Sequence, residues 1–108
     1  MTNKLMSLSL GTLLLAGVAA AQDKKDPAAA GKEVFDQCSV CHNADSDEKK
    51  MGPGLKGLMK KAKMKNGKAP TEANVSALIK AGGNGMPAYE DMLSKDELAN
   101  LLAYLKTL

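Results

Sequence analysis

The chain has 108 residues and a formal net charge of +3, all of its positive charge comes from Lys, and it contains no Arg and no Trp. Without forked guanidinium groups or a run of stacking rings, it lacks the equipment of a nucleic-acid binder. The length bounds the protein to one domain, and with Phe35, Tyr89 and Tyr104 as its only aromatics, side chains alone build a thin core.

In chain order, Lys4 precedes an apolar run from Leu5 to Val18 that closes in Ala19-Ala20-Ala21. This is the pattern of a signal peptide, residues 1–21, cleaved after Ala21. The run is too short for a transmembrane span, which needs about 20 apolar residues. The expected mature domain is residues 22–108, with no membrane span, exported to the periplasm or another extracytoplasmic face. Removing Lys4 lowers the net charge from +3 to +2.

Asp26 and Pro27 then read as a helix cap and first helical residue, opening a helix from about Pro27 to Gln37 that presents Gly31, Val34 and Phe35 on neighbouring turns. It delivers the chain into Cys38-Ser39-Val40-Cys41-His42. The stretch from Asn43 to Asn66 is polar, and Gly52-Pro53-Gly54 breaks regular structure, leaving room for a short helical turn around Lys56 to Lys61. Pro70-Thr71 precedes Val75, Leu78 and Ile79 on one helical face, and Gly82-Gly83 ends that segment. Near the C-terminus Ser94 and Glu97 form a capping box ahead of Leu98, Leu101, Leu102 and Leu105, the spacing of an amphipathic helix. No stretch alternates with the period of a strand, so the expected fold is all-α.

The chemistry sits at Cys38 to His42. Two Cys two residues apart and followed at once by His form the attachment pattern for covalent c-type haem. Each thiol adds to one vinyl group, and the adjacent imidazole is placed below the iron. A disulfide between these Cys would close a loop too small to constrain the unfolded chain much. A thioredoxin-like pair belongs between a strand and a helix, and a structural zinc site wants four ligands where this chain offers two Cys and one His.

With His42 the only His, Met is the natural second axial ligand. Met86 stands out among Met51, Met59, Met64, Met86 and Met92, because Gly82-Gly83-Asn84-Gly85 lets the backbone approach a flat cofactor and Pro87 stiffens the exit. Met51, Met64 and an open sixth position are the alternatives, and Met59 and Met92 are expected to be packing residues.

Taken together, these residues resemble class I cytochrome c in its small bacterial periplasmic form, over essentially the whole mature chain. Gly31 and Phe35 look like the family's first-helix pair, and Leu101 and Tyr104 like the last-helix pair they meet. Gly52-Pro53-Gly54-Leu55 is similar to the loop whose Pro carbonyl accepts a hydrogen bond from the axial His, and Gly85-Met86-Pro87-Ala88-Tyr89 to the sixth-ligand loop. The resemblance implies three to five short helices wrapped around one haem c, bound through Cys38, Cys41, His42, Pro53 and Met86, with His42 and Met86 on the iron. It implies a one-electron carrier without enzymatic activity, and a monomer meeting donor and acceptor redox proteins. The resemblance says nothing of the loop from Lys60 to Lys68, but its charge alone makes the acid-free run Lys60, Lys61, Lys63, Lys65 and Lys68 either a candidate docking patch for an acidic partner or a solvated face. The competing functions are a haem subunit of a larger oxidoreductase and a gas- or peroxide-binding protein with a labile sixth ligand.

Overall fold

A computed structural model describes residues 26–108; the expected signal segment lies outside them. Three α-helices and one 3-10 turn make up the described regular structure: α1 Pro27–Phe35, the turn Leu58–Lys60, α2 Glu72–Ala81 and α3 Lys95–Leu105. Among the described residues there is no strand, only one isolated bridge between Gly83 and Met86.

Pro27 starts α1 as expected, but Asp26 caps it with its carbonyl, which accepts from Ala30 N at 2.9 Å, and its side chain makes no capping bond. The helix ends at Phe35, two residues earlier than the sequence suggests. Helical hydrogen bonding nonetheless continues as separate turns: Cys38 N and Ser39 N both donate to Phe35 O, and His42 N donates to Cys38 O at 3.0 Å. The Cys-rich motif is therefore wound as an extension of α1.

Thr71 caps α2, its hydroxyl accepting from Asn74 N at 3.1 Å, and Gly82 closes the helix at a φ of 65°. The capping box of α3 is complete: Ser94 Oγ accepts from Glu97 N, and Ser94 N donates to the Glu97 carboxylate, both at 3.0 Å. These bonds hold the Glu97 carboxyl below its ordinary range.

The buried apolar side chains are Phe35, Leu58, Val75, Ile79, Leu98, Leu101 and Leu105. Leu102, expected on the buried face of α3, is only half-buried against this group. The main contact between elements is α1 against α3, and Gly31 permits it. A Cβ at Gly31 would lie 1.9 Å from the Asn100 carbonyl oxygen and 2.8 Å from Tyr104 Cβ. One turn on, the rings of Phe35 and Tyr104 meet at 5.3 Å with planes inclined by 55°, a tilted aromatic pair. The first-helix and last-helix pairs thus meet as the resemblance implies, and they set the frame from which the motif emerges.

Candidate haem site

The turns after α1 place Cys38, Cys41 and His42 along one wall of a cavity of about 730 Å³, within the roughly 300–1,000 Å³ typical of small-molecule and cofactor sites. Its lining is mostly apolar and comes from all three helices, with Leu58, Val75, Ile79 and Leu101 among the contributors. No polar or charged residue is buried among the described residues.

The segment after the motif folds back onto His42. Gly52 N donates to Cys41 O and Leu55 N to Asn43 O, both at 2.8 Å. Glycine is needed at this approach: a Cβ on Gly52 would stand 2.6 Å from His42 Cε1, and one on Gly54 would stand 2.3 Å from Ser46 O. The fold-back brings Pro53 O within 2.8 Å of His42 Nδ1. A carbonyl only accepts, so Nδ1 is the protonated nitrogen and Nε2 keeps its lone pair for another partner. This hydrogen bond ties the His42 ring to the Pro53 carbonyl.

Met86 lines the same cavity and packs half-buried against the core. It follows a two-residue turn in which Gly83 and Met86 exchange both backbone hydrogen bonds at 3.0 Å, and Asn84 and Gly85 take φ of 52° and 89°. Positive φ at both central positions is the mark of a type I′ turn, for which Asn-Gly is the preferred pair. Tyr89 N, donating to Ile79 O at 3.0 Å, fastens the far end of this loop to α2. Gly82 lets the two ends of the loop cross, since a Cβ there would lie 2.5 Å from Met86 O.

The other methionines separate clearly. Met64 is half-buried on the same cavity, whereas Met51 is 83% exposed at its edge. Met59 packs against the core as expected. Met92 does not: it is 59% exposed, because it follows the turn after Tyr89 on the outside of the domain. The Lys run is also less uniform than its sequence suggests. Lys61 pairs with Asp47 at 3.0 Å, an acid brought in from the preceding loop, while Lys63 and Lys65 border the cavity with Lys61.

The two thiols are unpaired. Burial pushes the Cys38 thiol up, with Cys41 adding to the effect. Burial likewise raises the Tyr89 phenol, Cys38 and Cys41 contributing after it. Among the described residues no three or more His, Cys, Asp or Glu side chains are arranged to hold a metal ion between them. Two unbonded thiols on one turn, an imidazole with a free nitrogen, a thioether on the same apolar cavity and backbone kept close by glycines fit covalent haem. Sequence reasoning missed the fit of Gly52 against His42 and the contribution of Tyr89 to the cavity. The Gly-Pro-Gly run was the visible signal for the first, and the place of Tyr89 at the end of the Gly85–Tyr89 loop was the signal for the second.

Comparison with known proteins agrees. The family model for cytochrome c matches residues 28–108. A cytochrome c6-like protein of Nostoc sp. (strain PCC 7120) is 36% identical over 76 residues, covering 69% of this chain and 65% of its own length. Cytochrome c6 of Leptolyngbya boryana is 37% identical over 79 residues, covering 72% of this chain and 88% of its own length. Because the family match spans nearly all of the described fold, and Cys38 and Cys41 stand where haem c is attached, the chain belongs to the class I cytochromes c.

Proposed function

We propose that the protein is a one-electron carrier, with haem bonded to Cys38 and Cys41 and its iron held axially by His42 and Met86. The observation that carries this reading is the single cavity bordered by a His oriented through Nδ1 and by the Met86 thioether. Bound haem supplies an iron that alternates between ferric and ferrous states, and a thioether ligand favours the reduced one. The protein's own contribution is to hold the ring and exclude water. Pro53 fixes the imidazole and raises its basicity as a donor. The Gly82–Met86 turn presents the thioether, and the Leu58, Val75, Ile79 and Leu101 side chains keep the interior apolar.

Similarity to cytochromes c6 favours a carrier over an enzyme or a peroxide-binding protein. The signal pattern of residues 1–21 supports a site of action outside the cytoplasm, where the carrier meets redox proteins. Lys63 and Lys65, which line the cavity, offer a local positive field for an acidic partner.

Ferric protein is expected to show the weak long-wavelength absorption band of Met-to-iron coordination. Met86→Ala should abolish it and admit carbon monoxide to the ferrous form, while Met64→Ala should keep it. Persistence of the band in Met86→Ala would overturn this ligation. For the partner, electron transfer should slow as salt is added, and less steeply in Lys63→Gln/Lys65→Gln; a rate indifferent to salt would remove the steering role.

A further inference from the structure

The sequence contains two Asn-Gly pairs, Asn66-Gly67 and Asn84-Gly85. At such a pair the glycine amide nitrogen can attack the carbonyl carbon of the asparagine carboxamide. A new bond from that nitrogen to the carbonyl carbon closes a five-membered succinimide, the original carboxamide bond to the terminal nitrogen breaks, and ammonia leaves carrying the proton lost from the amide. Water then opens the ring at either carbonyl, giving aspartate or isoaspartate. No electrons are transferred, and water is the only co-reactant. The reaction needs the asparagine carboxamide and the glycine N–H to be free, and a backbone able to rotate into the ring-closing geometry.

The two pairs differ on these points. At the first, Asn66 Oδ1 accepts from Lys68 N and Gly67 N donates to Met64 O, both at 3.0 Å, so both reacting groups are already engaged. At the second, neither the Asn84 carboxamide nor the Gly85 N–H is engaged among the described hydrogen bonds. The two bonds of the type I′ turn run between Gly83 and Met86 and leave the reacting atoms out. Asn84, Gly85 and Asn66 all line the cavity, so the two pairs differ in hydrogen bonding rather than in access. Glycines on both sides of Asn84 let its backbone swing with little steric resistance.

We propose that Asn84-Gly85 is a spontaneous modification site, at which Asn84 is converted to aspartate and isoaspartate while Asn66 is preserved. Either product adds a negative charge two residues from Met86. Isoaspartate also inserts an extra methylene into the backbone, which the two-residue turn cannot accommodate while Gly83 and Met86 stay paired. The turn that presents the thioether is thereby loosened. This second step rests on Met86 being the axial ligand; the first does not.

The test is to age purified holoprotein in mildly alkaline buffer and map its peptides by mass. The peptide holding Asn84 should gain about one dalton and split into two products. It should do so about tenfold faster than the peptide holding Asn66, whose two hydrogen bonds must first open. Equal rates, or faster change at Asn66, would overturn the site. The isoaspartate form, separated by ion exchange, should lose the long-wavelength Met–iron band that unmodified protein retains. An isoaspartate form with the band intact would overturn the loosening while leaving the site standing. A band absent even before ageing would instead point to failure of the Met86 assignment.

Discussion

Behind His42 there is room for a hydrogen atom and nothing larger, since a methyl group on Gly52 would sit 2.6 Å from Cε1 and 2.8 Å from Nδ1. Gly52→Ala must therefore push the ring or the loop aside and stretch the 2.8 Å bond to Pro53 O. Removal of such a supporting contact typically costs 10- to 100-fold in metal affinity or activity. The yield of covalent holoprotein, read as haem absorbance per protein, is expected to fall by about tenfold; a normal yield would show that the contact is dispensable. At this scale the sequence was legible wherever chemistry is local. Cys38, Cys41 and His42 stand out by spacing, and Met86, singled out by its glycines, lines the same cavity. Exposure was not legible: Met92 and Met59 look alike in the sequence, and only the path of the backbone after Tyr89 leaves one of them 59% exposed. The pairing of Lys61 with Asp47 was hidden for the same reason, because it joins residues from two loops whose courses no periodicity describes.

Among the elements, α1 and α3 carry the frame, and Gly31 is where they come closest. Gly31→Ala places a methyl group 1.9 Å from the Asn100 carbonyl oxygen, an atom of helix backbone that cannot rotate away. The helices must separate, and overpacking of this kind costs about 3 kcal/mol. Denaturant unfolding of the holoprotein should show that loss as a lower midpoint at unchanged slope. A midpoint equal to that of the unaltered protein would mean that the crossing is looser than these distances indicate. The helices themselves were legible because their signals are short in range: Pro27 at a start, the hydroxyl of Thr71, the reciprocal Ser94 and Glu97 bonds. The end of α1 was less so. Its last residues are drawn into separate turns that serve the motif, and a propensity argument has no means of weighing a helix against the site it feeds.

For the molecule as a whole, the fold and the site are built from the same side chains. Phe35, Leu58, Val75, Ile79, Leu101 and Leu105 form nearly all of the buried core and also line the cavity. A protein with so little apolar material of its own needs the cofactor's surface to complete its interior. Cys38→Ser/Cys41→Ser, which removes the attachment points, is expected to lose most of its helical signal in far-ultraviolet circular dichroism. A helical spectrum close to that of the holoprotein would show that the polypeptide folds without its cofactor. A polypeptide that cannot close its interior until it is loaded stays open to proteases until that moment, and resists them afterwards. If the chain folds only when loaded, the doubling of core and cavity makes its resistance to proteases report whether the cofactor has been acquired.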